Sequence, residues 1–419
     1  MRTLFVIRDL PRLSISAAGV IRGGEALSGT HTSGLLVAEG LAQRGHEIGI
    51  CIVHGQRVID SACRTFESIQ VGCDWAGDGR TIWLTYGDTS VFEQLSAHGV
   101  RPLIWTQLPV TRLERSWLES ARISGLVTVS DTCRVPLLRS PQHQRVGRVY
   151  NPLAPLFAEE IANPTDRFAR RVVVYAGAAG PTKGLHRLLQ MWKYVHRADS
   201  NAKLVLAGTG RLYGSGRALG RFGIADPDFE SNYVEPLATE FGSLESAGVE
   251  LAGLLSPVEL RSLYSASSLG VVNPNWSEYT ETFCCAGVEM LATGLPVFSV
   301  ARAALPETIG RSGGACLTRT DSVERSAEEL TALLSDSQRL ARLGAAGRRF
   351  VVGEYGWSGI VDAWEALIVH GPEIETLSGA WQGPRSAHYY LELLAGRAGA
   401  SWVLDGVADG LRKLRRGNQ

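Results

Sequence analysis

Short apolar runs recur along the first part of the chain: LFVI (4–7), IGICIV (48–53), PLIW (102–105), GLVTVS (125–130) and VGRVYN (146–151). Runs of this length bounded by polar residues predict strands buried on both faces, as in a parallel sheet. Between them SGLLVAEGLAQRGHE (33–47) and VFEQLSAHG (91–99) carry helical spacing. Strand and helix in alternation predict an α/β sheet with crossover helices. The polar segment AEEIANPTDRFARR (158–171) interrupts the pattern and reads as a connection. The cycle then restarts with RVVVYAG (171–177), KLVLAG (203–208), VELAG (249–253), LGVVNP (269–274), LPVFSV (295–300) and GGACL (313–317), again with helical segments between strands. Two doubly wound, Rossmann-like domains are therefore expected, over 1–157 and 158–355. A third segment, 356–419, opens with the helical WSGIVDAWEALIVHG and ends in DGLRKLRRGNQ.

A length of 419 residues agrees with two cores rather than one. Lys plus Arg equals Asp plus Glu at 42 each, so no global field draws nucleic acid. Seven cysteines, an odd number without CxxC or metal-ligand spacing, suit a reducing cytoplasm. No run approaches the length of a membrane span. The C-terminal Arg412, Lys413, Arg415 and Arg416 suit a solvated helix end, and are also a candidate for peripheral docking at the inner face of an acidic membrane.

Ligands of doubly wound sheets gather at the carboxyl ends of the strands, and three stretches there carry candidate chemistry. AGAAGPTKG (176–184) puts a glycine-rich turn and Lys183 between a strand and a helix, a natural phosphate site although not a P-loop. AGTGR (207–211) is a second glycine turn, which turn chemistry alone would also explain. ETFCCAGVE (281–289) sets two carboxylates eight positions apart around small residues. A helix is expected from about Phe283 to Ala292, with Gly294 as its C-cap, Glu281 just before it and Glu289 about two turns in. The plainer alternative makes Glu281 a dipole partner of that helix and Glu289 a partly buried structural acid.

In this setting the chain resembles the retaining nucleotide-sugar glycosyltransferases of family 4, which have the GT-B fold. Their E-x7-E pattern, E-x-F-G-x4-E-A-x-A-x-G-x-P-V, is met by Glu281, Phe283, Glu289, Ala292, Gly294, Pro296 and Val297, with Cys284 in place of glycine and Met290 in place of alanine. AGAAGPTKG, KLVLAGTG (203–210) and LAGLLSPVELRSLYSASSLGVVNP (251–274) resemble further landmarks of the second domain. SGTHTSGLLVAEGLAQRGHEIGI (28–50), VTVS (127–130) and VYNPLAPLF (149–157) resemble those of the first.

The resemblance implies two Rossmann-like domains facing a cleft, with a C-terminal helix returning toward the first. It implies transfer, with retention, of a sugar from a UDP- or GDP-linked donor to a saccharide, lipid-linked or small-molecule acceptor, without metal or cofactor. Glu281 and Lys183 would be the catalytic pair. Gly177, Lys183, Gly208, Gly210, Leu254, Thr282, Phe283, Cys284, Cys285 and Glu289 would bind the donor, Glu289 at the ribose. Gly29, Thr30, His31 and Gln107 would form the acceptor and phosphate loops. Two departures stand out: Ala178 occupies the position of a family arginine, and Gln107 that of a common histidine, leaving His31 the nearest substitute. Arg211, Arg302 or a backbone nest could replace the missing cation. Asp226 and Asp228, a D-x-D in the long insertion 211–247, read as turn residues around Pro227, and the insertion as a lid or oligomer contact. Competing readings are a nucleotide-sugar epimerase of the same fold and a non-catalytic nucleotide-binding relative.

Overall fold

The strand Thr3–Ile7, TLFVI, has every residue buried, and the first sheet is built outward from it. On one side lie Ile48–Ile52 and then Arg64–Phe66; on the other lie Arg80–Thr85, Leu103–Thr106, Gly125–Thr128 and Val146–Arg148. All pairings are parallel, with Thr3 opposite both Ile48 and Arg80. The computed structural model describes residues 2–7, 14–53, 57–85, 89–137, 140, 142–160, 166–210, 218–276 and 281–371. The basic C-terminal tail and Arg211 lie outside these residues.

The second sheet repeats the plan around Val172–Ala176. Lys203–Ala207 and Val249–Gly253 lie to one side, and Leu269–Val271, Val297–Val300 and Ala315–Thr318 to the other, again all parallel. The direction of winding reverses between Val172–Ala176 and Leu269–Val271. The loops leaving these two strands, 177–184 and 272–284, therefore flank the switch point where a crevice opens in such sheets. Helices cover both faces, so central strands such as Thr3–Ile7, Ile48–Ile52 and Val297–Val300 are buried along their whole length.

The chain passes between the lobes twice, and the two passages touch. Leu153 and Gly356 form a parallel bridge, and Leu153 N–H donates to Tyr355 O at 2.7 Å. The helix Trp357–His370 then packs on the first-lobe helix Gly29–Gln43. A Cβ on Gly40 would lie 2.5 Å from Val361 Cγ2, so glycine is what lets the two helices come this close. Trp357 Nε1 donates to Leu36 O at 2.7 Å, and Arg44 pairs with both Asp362 and Glu365 at the rim. One hydrophobic core runs through Phe5, Leu36 and Trp105 of the first lobe, Trp364, and Val288 and Leu291 of the second.

Several elements differ from the sequence reading. The strand Arg80–Thr85, RTIWLT, sits beside the first strand yet is not an apolar run; its Thr81 is buried against the sheet. The helix expected from 33 begins at Gly29, capped by Ser28. The helix expected from Phe283 begins at Cys285, so Glu289 lies about one turn into it and Glu281 precedes it by four residues. Its C-cap is Thr293, with Gly294 next in the left-handed conformation at φ +72°. Within the insertion Asp226 caps Pro227–Phe229 by accepting from Phe229 N–H at 2.9 Å.

The connection after 158 contributes a buried anchor. Arg167, 1% exposed, donates to the carbonyls of Ser265, Thr293 and Gly294, closing the ends of two helices at once. Arg167→Met should lower stability by about 3 kcal/mol, because it leaves buried carbonyls without donors. A urea titration with unchanged slope and lowered midpoint would report it.

Candidate functional site

At the switch point of the second sheet, glycines end three neighbouring strands. Gly177 N–H donates to Ala207 O at 3.1 Å, and Gly208 N–H donates to Gly253 O at 2.7 Å. Gly208 has φ +121°, and a Cβ there would lie 2.0 Å from Gly177 O, so no other residue fits. The result is a backbone platform free of side chains, with Leu254 at its edge, 52% exposed. Gly210 continues it by donating to Ile224 O at 2.7 Å.

The loop 177–184 is held from beneath. The Tyr175 hydroxyl lies 3.0 Å from Ala178 O and 3.1 Å from Lys183 O, and Asn275 Nδ2 donates to Pro181 O at 2.9 Å. Gly184 at φ +74° ends the loop against Pro274 and Asn275, where a Cβ would come within 2.8 Å of the proline ring. Lys183 is thus fixed by its own backbone, and its ammonium reaches Glu281 Oε2 at 2.9 Å.

The Glu281 side chain is only 7% exposed, and a carboxylate so buried needs cationic and hydrogen-bonding partners. Lys183 supplies the charge, and Asn273 Nδ2 donates to the same oxygen at 3.1 Å. Asn273 has φ +35°, outside the usual regions for a side-chain-bearing residue, but asparagine is among the residues that tolerate positive φ. Ala304 N–H fixes the backbone of Glu281 by donating to its carbonyl at 3.0 Å.

Glu289 faces the cleft between the lobes, which is lined also by Gly29, Thr32, Leu153, Phe283 and Cys285. Loss of water around this carboxyl pushes its pKa up to about 8. The lobes pack tightly here: a Cβ on Gly29 would lie 2.8 Å from Cys285 Sγ. Cys284 packs inward, and burial keeps both thiols protonated, Cys285 being pushed up to about 12. Cys285 N–H donates to Phe283 O at 3.1 Å, so this amide of the turn expected to bind the donor is already engaged.

From the first lobe, Gln107 O accepts from the Thr282 hydroxyl at 2.6 Å, and Gln107 and Asn151 exchange two side-chain hydrogen bonds of 3.0 and 2.8 Å. Gln107 is thus adjacent to the Glu281 turn. His31 is buried, not exposed, and its Nδ1 is 2.7 Å from Ser28 Oγ. Ser28 Oγ also accepts from His31 N–H at 3.4 Å. Thr30 lies in the first turn of the same helix. Arg302 stacks over Trp276 at 5.3 Å, in the loop cluster that carries Glu281.

The structure thus gathers Lys183, Glu281, Thr282, Gln107 and Asn273 in one contact network, with Glu289, Cys285 and Gly29 alongside. The Gly208 and Leu254 platform forms the far wall. Sequence reasoning missed Tyr175, Asn151, Asn273 and Asn275. The two asparagines in NPN directly after a strand are the one signal that could have raised them.

Two lobes with parallel sheets, joined by paired crossings and facing one cleft, define the GT-B fold. Sucrose-phosphate synthase from Thermosynechococcus elongatus superposes with a TM-score of 0.64 at 16% identity, covering 87% of this chain and 98% of that one. The Anabaena protein HepE, solved with UDP, gives 0.62 at 14% identity, covering 90% and 100%. The chain carries a glycosyl transferases group 1 domain, matched over residues 158–350. It is 25% identical over 255 residues to spore coat protein SA of Bacillus subtilis (strain 168), 57% of this chain and 63% of that protein. It is 31% identical over 214 residues to D-inositol 3-phosphate glycosyltransferase 1 of Catenulispora acidiphila, 51% of this chain and 46% of the relative. The chain spans less than two thirds of the length of these curated relatives.

The raised Glu289 carboxyl has a measurable consequence. Its folded-state pKa of about 8 exceeds the ordinary 4.5, so its contribution to stability is complete below 4.5 and is lost as the pH rises through about 8. Glu289→Gln should therefore unfold several degrees higher than the parent at pH 8.5, with the gap closing toward pH 4.5. Thermal melts across that range test it.

Proposed function

We propose that the protein is a retaining glycosyltransferase that takes a UDP- or GDP-linked sugar as donor and a saccharide, lipid-linked or small-molecule acceptor. The observation that carries this reading is the 2.9 Å pair of Lys183 and Glu281 at the switch point of a glycosyl transferases group 1 domain. Relatives named as glycosyltransferases, and a neighbour of the same fold solved with UDP, support it. On this reading residues 1–157 take the acceptor, 158–355 take the nucleotide sugar, and the helix Trp357–His370 returns to the first lobe.

In the absence of donor the ammonium and the carboxylate neutralise each other. An incoming diphosphate draws Lys183 to its oxygens, and the sugar hydroxyls donate to Glu281, so each partner exchanges one charge-assisted contact for another. The glycine platform lets backbone approach the nucleotide, and Leu254 offers an apolar edge to the base. Glu289 accepts from the ribose hydroxyls, which favours its ionised form and releases a proton on binding. The bond between the anomeric carbon and the phosphate oxygen breaks with its electrons going to the diphosphate, where Lys183 stabilises the growing charge. The acceptor oxygen bonds to the same face of the anomeric carbon and passes its proton to the departing phosphate oxygen. Closure of the lobes excludes water, the competing acceptor.

Thermal shift with UDP, GDP and ADP is the first test, and stabilisation by UDP or GDP is expected. If no nucleoside diphosphate stabilises the protein, both this reading and an epimerase fail. Glu281→Gln should lower transfer at least about a hundredfold while UDP or GDP binds as well as or better than to the parent, since Lys183 is released. Glu289→Ala should weaken nucleotide binding about tenfold, and parental affinity should rise between about pH 6 and pH 8 as its carboxyl ionises. Undiminished transfer in both variants would refute the assignment.

A further inference from the structure

Glu307 does not belong to the donor site, yet it is one of the most heavily bonded side chains across the lobes. It projects from the second-lobe turn Leu305–Thr308 and is 1% exposed. Its hydrogen bonds reach into the first lobe: Asp131 N–H donates to Oε1 at 2.6 Å, Thr132 N–H and Oγ1 donate to Oε2 at 2.9 and 2.8 Å, and Tyr150 OH donates to Oε1 at 3.0 Å. Around it the crossings converge. Tyr150 lies edge-on to Tyr355 at 5.0 Å, and Tyr355 OH donates to Thr308 O at 2.9 Å.

The same turn reaches the site. Ala304, three residues before Glu307, donates its N–H to Glu281 O at 3.0 Å. Ala303 is held in the left-handed region at φ +50°, a conformation that alanine adopts only when its surroundings impose it. A short rigid segment therefore has the first lobe at one end and the backbone of Glu281 at the other.

We propose that Glu307 is a positioning residue, a pivot at the crossings that ties the orientation of the first lobe to the backbone of Glu281. The first lobe's amides at 131 and 132 hold the carboxylate, the carboxylate holds the turn, and the turn's Ala304 N–H holds the loop from which Glu281 meets Lys183. A change of lobe angle is passed to the sugar-side carboxylate without involving the glycine platform, which lies wholly in the second lobe.

Amide hydrogen exchange on the full chain tests this without a turnover assay, so its outcome is independent of the glycosyl-transfer reading. Glu307→Gln removes the charged acceptor, and Thr132→Val removes only the Oγ1 bond. Both should raise exchange at 281–289 as well as at 130–134, by about fivefold for Glu307→Gln, the scale of one lost net hydrogen bond. The helix Leu185–Ala198 should be unchanged. The affinity for UDP and GDP, measured by calorimetry, should remain within about twofold, because the platform and Lys183 are untouched. Faster exchange confined to 130–134, or spread evenly through Leu185–Ala198, would overturn the proposal. If Glu307→Gln does not fold, Thr132→Val decides by the same comparison.

Discussion

A buried carboxylate needs a cation or hydrogen-bond donors, and much of the cleft follows from how the chain meets that demand for Glu281. Its partner Lys183 comes from a different loop, 98 residues earlier. Both loops must therefore leave adjacent strands at the same edge, which the reversal of winding between Val172–Ala176 and Leu269–Val271 provides. Tyr175, Asn273 and Asn275 then serve the pair rather than the core: two hold the lysine loop and one shares the carboxylate. The pair spans a gap that a diphosphate sugar would fill, so ordering it in advance lowers the conformational cost of binding.

The distance between the lobes is governed by a different kind of constraint, the absence of side chains. Gly29 admits Cys285, and Gly40 admits Val361. Contacts made this way resist compression but not separation. What resists separation is polar: Thr282 to Gln107, Glu307 to the amides of residues 131 and 132, and the bridge of Leu153 with Gly356. Steric stops on one side and directional hydrogen bonds on the other fix the spacing of the lobes from both directions.

The sequence disclosed the elements whose burial is uniform and hid those whose role is pairwise. Strands such as IGICI, and TLFVI after Thr3, are apolar because helices cover both faces. The strand RTIWLT escaped because its buried threonine gives no apolar signal. The spacing of Glu281 and Glu289 was visible, and so was Lys183 after its glycine turn. The start of the helix at Cys285 was not, since the turn before it has no Ser, Thr, Asp or Asn at the capping position. Glu307 was silent for a deeper reason: its partners lie about 175 residues away in the first lobe, and nothing local in ALPET announces a buried acceptor.

The departure at Ala178 acquires meaning in this frame. An arginine there would stand on a loop whose carbonyls are already held by Tyr175, and would offer a second, fork-shaped cation to the same phosphates as Lys183. With alanine, the charge available from that loop is the single ammonium, and in the resting protein it is shared with Glu281. Electrostatic grip on a diphosphate then depends on how completely Lys183 can leave its partner. That depends in turn on how well Asn273 alone can satisfy the Glu281 oxygen left behind. Arg302, stacked on Trp276 within the same loop cluster, is the other described cation from the strand ends that could move toward this charge. On the proposed function, release of the lysine would be coupled to arrival of the sugar, because sugar hydroxyls would replace the ammonium as donors to Glu281. A nucleoside diphosphate lacking the sugar would have to break the pair without that compensation, so the intact donor would be favoured over its own product.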